Sequence, residues 1–203
     1  MSVLTIYPDS YSGNQPKQSK RYTDFSDIER ELAGIYVKFE RWTANRELTS
    51  DDDQATIIAA YQESIDKLKQ LYGFQSVDVI NLSPDNPDKA VFRQKFLAEH
   101  IHDDFEVRFF IDGCGLFYLH VGGKVYAVLC EKGDLISVPA NTTHWFDMGA
   151  YPSFKVIRLF TMPEGWVAKF TGSEIALSFP TFDEIVAELK ETSIPSPSGR
   201  GLG

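Results

Sequence analysis

Apolar positions follow two different rhythms along this chain, and the change falls near residue 100. Upstream, most apolar residues recur three or four apart, the period of a helix with one buried stripe. Thr23 to Ala33 predicts a helix on Phe25, Ile28 and Leu32, capped by Asp24 or Ser26 and stopped by Gly34. Asp51 to Leu71 is the longest helical stretch, with Ile57, Tyr61, Ile65, Leu68 and Tyr72 in phase as packing residues. Its acidic first turn (Asp51, Asp52, Asp53) suits a helix N-terminus, and Gly73 closes it. Short strands are predicted at Val3–Tyr7, Ile35–Trp42 and Val77–Leu82, and a helix near Lys89–Ala98 follows the turn SPDNPD.

Downstream, brief apolar runs alternate with glycine-bearing turns: FEVRFFI, DGCG, LFYLHV, GGK, VYAVLC, EKGD, LISVP, ANTTHWFDM and FKVIRLF. Regular short strands with such turns predict a β-sandwich or barrel. Phe182–Leu189 predicts a last helix. The fold class expected is therefore mainly β with flanking helices. Residues 1–192 are expected to form a single domain, helical elements packed beside one β-barrel, and 193–203 (ending PSPSGRGLG) a flexible tail.

Composition narrows the partners. The formal charge of −9 comes with no basic stripe, which speaks against a nucleic-acid ligand. The N-terminus has no basic segment followed by an apolar run, and no stretch approaches the roughly 18–20 apolar residues of a membrane span. Two cysteines, Cys114 and Cys130, are too few for a disulfide framework and read as small buried hydrophobes. A soluble cytoplasmic protein is expected, without a membrane partner.

The chemistry concentrates in histidine. Of four histidines, three fall into one constellation: His100-x-His102-x-x-x-Glu106, and His144 far downstream. Along an extended chain side chains alternate faces, so His100, His102 and Glu106 share a side. A carboxylate directed inward is costly unless a cation compensates it, and a divalent ion would do so. Nitrogen and oxygen donors without thiolate suit Fe(II), Ni(II), Mn(II) or Zn(II). Four protein ligands on an octahedral ion leave two positions, enough for a substrate with two neighbouring oxygens.

Several neighbours bear on this site. Arg108 keeps the parity of Glu106 and either pairs with it or neutralises an anionic ligand. Phe146 has the parity of His144 and could wall the pocket or belong to the core. Arg158 shares its face with Phe154, Val156 and Phe160, and wants an acidic partner, a ligand or a strand-end position. Trp166 caps a pocket mouth or is core. His120 lies outside the constellation as a satisfied barrel histidine, and Asp51–Asp53 and Asp103–Asp104 read as solvated faces.

The spacings resemble the two motifs of the cupin superfamily, whose fold is a double-stranded β-helix or jelly roll. G-x5-H-x-H-x3-E-x6-G is present from His100 to Gly113 without its leading glycine. In G-x5-P-x-G-x2-H-x3-N, Asn141 replaces glycine and Met148 replaces asparagine. Asparagine tolerates the left-handed turn, so the first departure is mild.

At EHIHDDFEVRFFIDGCGLFYLHV and KGDLISVPANTTHWFDMG the chain resembles the acireductone dioxygenase family, over about residues 35 to 166. The resemblance implies a monomeric methionine-salvage enzyme with one Fe(II) or Ni(II) on His100, His102, Glu106 and His144. Its substrates would be O2 and 1,2-dihydroxy-3-keto-5-methylthiopentene. The iron form would yield formate and 4-methylthio-2-oxobutanoate; the nickel form, formate, carbon monoxide and 3-methylthiopropanoate. Arg108 matches an arginine that favours the substrate dianion, and Phe96, Phe146 and Trp166 match pocket aromatics. Glu99 matches a position linked to metal loading, though as a residue it reads equally as a solvated carboxylate. Phe105 stands where the family carries an aspartate tied to a conformational relay, which puts that role in doubt here. A cupin sugar isomerase or epimerase, and a non-enzymatic cupin binding module, are the alternatives.

Overall fold

One long strand organises the molecule. In the computed structural model, which describes residues 1–12, 18–49 and 51–192, β6 runs unbroken from Glu106–Val121. The remaining strands, in chain order, are β1 (Val3–Pro8), β2 (Lys20–Tyr22), β3 (Lys38–Arg41), β4 (Ser76–Leu82), β5 (His100–Ile101), β7 (Lys124–Glu131), β8 (Asp134–Val138), β9 (Thr143–Asp147), β10 (Phe154–Phe160) and β11 (Lys169–Phe170). The helices are α1 (Phe25–Ala33), α2 (Gln54–Ala60), α3 (Gln62–Tyr72), α4 (Lys89–Leu97) and α5 (Phe182–Thr192). The architecture is mainly β with flanking helices, as expected.

The first half of β6 pairs with β8 and β10, and its second half with β7 and β9. Beyond these, β4 and β3 extend one sheet, and β1, β2, β5 and β11 the other. The DGCG segment is thus a bend within a strand and not the turn its composition predicts. Gly113 makes the bend: its φ is +67°, and a Cβ there would lie 1.8 Å from Ser153 O. The β10 pairing also slips one register step between Lys155 and Val156, a bulge that reverses which residues face inward. Glu106, Arg108 and Phe110 point between the sheets before the bend, whereas Phe117 and Leu119 do so after it.

Both faces of β6 are consequently buried. Phe110, Phe117, Val128, Ile136, Phe146 and Val156 fill the space between the sheets. On the outside, Val107, Phe109 and Ile111 pack beneath Ile57, Tyr61, Ile65 and Leu68 of the α2–α3 region. Leu116, Tyr118 and Trp145 pack beneath Phe179 and Ile185 near the C-terminal end. The helical stripe of the sequence exists to cover a sheet.

Several elements differ from expectation. The single helix over Asp51–Leu71 is two, interrupted at Tyr61 (φ −113°, ψ 19°), whose hydroxyl accepts from Arg46 N. Asp53 is the N-cap of α2, accepting from Thr56 N, so this acidic run is not merely a solvated face. Strand β3 begins at Lys38 because the chain reverses first, with Tyr36 in the left-handed region at φ +63°. Gly34 ends α1 in an ordinary right-handed conformation. The helix at Phe182 runs three residues further than predicted, and β2 had no signal in its alternation. The tail 193–203 lies outside the described residues.

Candidate metal centre

His100, His102 and Glu106 do not share one strand. His100 opens β5, the chain turns through Asp103–Asp104, and Glu106 starts β6. They nevertheless converge, because β5 lies against β9 with His100 directly opposite His144. Asn141 takes the turn before β9 at φ +61°, as expected of the residue in the glycine position, and its N–H donates to His102 O. The donor atoms of His100, His102 and His144 lie within 4.8 Å of one another, all three residues buried.

Each imidazole is oriented by a backbone carbonyl. His100 Nδ1 is 2.7 Å from Ala98 O, His102 Nδ1 is 3.0 Å from Val167 O, and His144 Nδ1 is 2.7 Å from Thr142 O. A carbonyl only accepts, so each Nδ1 carries the hydrogen and each Nε2 presents a bare lone pair to the centre. Burial first, then the neighbouring His144, pushes the pKa of His100 down to about 4. Burial also lowers that of His102. Neutral rings are what a metal requires.

Glu106 completes the floor. Its Oε1 accepts from Arg108 Nε at 2.9 Å and Nη2 at 2.7 Å. Its Oε2 lies 3.2 Å from His144 Nε2, and neither atom has a hydrogen-bond partner. Two buried acceptor atoms so close repel unless a cation lies between them, so this donor set fits a divalent ion. Burial pushes the Glu106 carboxyl upward, but the Arg108 guanidinium overrides it and holds it well below the usual range.

Above the floor opens a cavity of about 540 Å³ lined by His100, His102 and Arg108. Arg108 is held between the Phe117 and Phe146 rings, 4.7 and 4.8 Å from their centroids, and its Nη1 is buried without a partner. The ion-pair option for Arg108 holds on one edge of the guanidinium, and the other edge is left as an open donor. Phe96, Arg158 and Trp166 line the cavity. Phe146 does not: fully buried, it stands behind Arg108, with an edge against Phe96. Trp166 is 51% exposed at the rim and so is not core.

Other positions depart from expectation. Arg158 is no strand-end charge; it lies within β10 and is bound bidentately by Asp78 of β4, at 2.8 and 2.6 Å. Glu99 is buried, accepting from Thr171 Oγ1 and lying 2.9 Å from His120 Nδ1, so it is not solvated and His120 is satisfied as anticipated. Asp104 is buried and accepts from Phe105 N, Thr161 Oγ1 and Met162 N, so it does not belong to a solvated face, while Asp103 is exposed as expected and pairs with Lys169. Phe105 is half exposed, on the outside. Cys114 and Cys130 are free.

Sequence reasoning missed Phe92, Asn86, Val167 and Phe170 of the lining. Only Phe92 carried a signal, one helical turn before Phe96 and 6.2 Å from its ring. The carbonyls that orient the histidines belong to Ala98, Thr142 and Val167, whose side chains announce nothing.

Comparison with known proteins places this site in context. The model of the ARD/ARD' family matches residues 4–168. An acireductone dioxygenase of Methylococcus capsulatus is 56% identical over 184 residues, 91% of this chain and 97% of that protein. One from Aquifex aeolicus is 54% identical over 186 residues, 92% of this chain and 99% of its own. Among solved structures, acireductone dioxygenase from Bacillus anthracis with a cadmium ion in its active centre superposes with a TM-score of 0.71. It is 30% identical and the match covers 84% of this chain and 98% of that one.

Proposed function

This chain belongs to the ARD/ARD' family, the acireductone dioxygenases, and from that membership we propose the site's chemistry in detail. The substrates are 1,2-dihydroxy-3-keto-5-methylthiopentene and O2, and the setting is methionine salvage in the cytoplasm. His100, His102, His144 and Glu106 hold one Fe(II) or Ni(II) per monomer within a single domain spanning residues 1–192. With iron the products are formate and 4-methylthio-2-oxobutanoate; with nickel they are formate, carbon monoxide and 3-methylthiopropanoate. The isomerase and binding-module alternatives fall with the family membership.

The observation that carries this reading is the meeting of bare donor atoms with the one unpartnered edge of a buried guanidinium: three Nε2 atoms and Glu106 Oε2 beside Arg108 Nη1. When bound, the ion supplies a Lewis acid that gathers vicinal oxygens and makes their loss of protons easy. Arg108 contributes a donor aimed where the substrate's negative charge develops. Its Phe117–Phe146 sleeve excludes water and strengthens that interaction. Phe96 and the rim Trp166 offer the apolar wall that a methylthio tail requires. Glu99 braces His120 and Thr171 next to His100, a place from which it would steady that ligand during metal loading. At Phe105 the relay assigned to the family's aspartate has no carboxylate to work through.

The test is oxygen uptake after the acireductone is mixed anaerobically with iron- or nickel-loaded protein and air is then admitted. Uptake with release of formate is expected from both forms, and carbon monoxide from the nickel form alone. Replacing Glu106 by Ala should abolish metal retention and turnover together; activity with stoichiometric metal in that variant would overturn the ligand assignment.

A further inference from the structure

Among the described residues, the carbon rings that stand against the three histidines are all phenylalanine. Phe170 lies 5.8 Å from the His100 ring, Phe160 6.5 Å from His102 and Phe117 6.4 Å from His144. On the opposite face of β9 the chemistry changes. Trp145 directly follows His144, and its indole stacks on Tyr118, its cross-strand partner on β6, at 4.9 Å and 10°. Phe179 joins this pair to two further phenols: its ring lies 5.8 Å from Trp145, 5.6 Å from Tyr7 and 5.6 Å from Tyr11. Tyr7 and Tyr11 are themselves 4.8 Å apart. Indole and phenol rings give up an electron far more readily than phenylalanine does.

The stack has a direction. Exposure rises from Trp145 (0%) through Tyr118 (1%) and Tyr7 (4%) to Tyr11 (9%). Proton partners change along the same line. Trp145 Nε1 is buried with no hydrogen-bond partner, so an oxidised indole has no base for its proton and stays a cation that apolar surroundings disfavour. Tyr118 donates its hydroxyl to Pro180 O, and a carbonyl is too weak a base to keep the proton. Tyr7 stands near the Arg21–Glu188 ion pair, which brings a carboxylate to its phenol. An electron vacancy is thus driven outward, from rings that cannot shed a proton to one that can.

We propose that Trp145, Tyr118 and the Tyr7–Tyr11 pair form an electron-transfer chain that protects the histidine–carboxylate centre from oxidative damage. When O2 is reduced incompletely there, one electron passes from Trp145 to the reduced-oxygen oxidant, and the stacked Tyr118 spreads the charge left on the indole. Trp145 recovers an electron from Tyr7 or Tyr11 across Phe179. That phenol's O–H bond breaks, and its proton goes to Glu188 or to solvent. A thiol reductant then returns one electron and one proton to the phenoxyl and is itself oxidised. The histidines are spared. This function goes beyond the acireductone reading and rests on it only for the use of O2 at this centre.

The experiment treats iron-loaded protein, without organic substrate, with hydrogen peroxide. Freeze-quenched samples are read by EPR, and oxidised residues are mapped by peptide mass spectrometry. Wild type should show a tyrosyl radical, with oxidation collected at Tyr7 and Tyr11. Tyr7→Phe together with Tyr11→Phe keeps both rings and removes the phenols. That variant should lose the signal and oxidise His100, His102 or His144 several-fold faster. Trp145→Phe should do the same although both tyrosines remain, an effect that a packing role for the indole does not produce. Should this core variant not fold, the tyrosine double variant decides alone. Oxidation collected on the rim Trp166 instead, or equal histidine damage in wild type and the folded variants, would overturn the proposal. If wild type consumes O2 with the acireductone but yields no tyrosyl radical, this inference alone fails. If it neither holds iron nor consumes O2, the proposed function fails and takes the chain's role along.

Discussion

Acid should unfold the metal-free protein through its buried histidines before the carboxylates titrate. Burial against His144 pushes His100 from 6.5 down to about 4, so the folded chain keeps this ring neutral where the unfolded chain takes up a proton. A group whose folded pKa is depressed gives stability that is complete above the unfolded pKa and lost as pH falls through the folded one. The window here is therefore from 6.5 down to about 4. At 1.36 kcal/mol per unit, the shift is worth about 3 kcal/mol, a large share of the roughly 5–15 kcal/mol that holds a domain together. His102 is displaced the same way and adds to the loss. Glu106 is held well below its ordinary range, so its own contribution disappears only at lower pH. The assay is urea unfolding of chelator-treated protein in steps from pH 7 to about 4.5. His100→Gln should flatten the curve relative to wild type by about 2–3 kcal/mol across that range. Parallel curves would show that the neutral state of His100 does not arise from its packing and would refute the reasoning.

Other consequences follow from single contacts. Gly113→Ala should cost more than about 3 kcal/mol, because its Cβ meets Ser153 O at 1.8 Å in a left-handed backbone. Gly122→Ala, at φ +59° with nothing within 4 Å, should cost only about 1–2 kcal/mol, and thermal melts compare the two. Asp147→Ala removes the buried acceptor shared by Arg93 at 2.8 and 2.9 Å, Gly149 N and Phe182 N, tying α4 and α5 to β9. A loss of about 3–5 kcal/mol in denaturant unfolding is expected, and a change under 1 kcal/mol would show the network to be idle. Arg108→Ala should keep its metal by elemental analysis yet lose on the order of 10²–10³ in kcat; unchanged steady-state kinetics would refute its electrostatic role.

The acidic protein has a cation-lined cavity because its carboxylates are committed elsewhere. Asp24 and Asp53 cap helices at the surface, and buried Glu99, Asp104 and Asp147 are tied to groups outside the cavity wall, whereas the cavity's two arginines are each held by a single buried or half-buried acid. Net charge alone would have argued against an anionic ligand.

By itself, the sequence determined the fold class, the covering helices and the four residues that meet at the candidate centre. Side-chain period and donor chemistry are local properties, and His-x-His with an in-phase glutamate has few other uses. It could not determine how those residues meet. The parity argument placed His100, His102 and Glu106 on one strand, yet β5 and β6 are separate, and the His100–His144 pairing brings the set together. Nor could it tell that DGCG bends a strand without ending it, since the steric demand on Gly113 comes from Ser153 forty residues away. The tautomers of the histidines, the sleeve around Arg108 and the aim of Arg158 all depend on partners remote in the chain, several of them backbone carbonyls common to every residue. Which donors exist is written residue by residue; what each one faces is set by long-range pairing, and only the folded chain decides it.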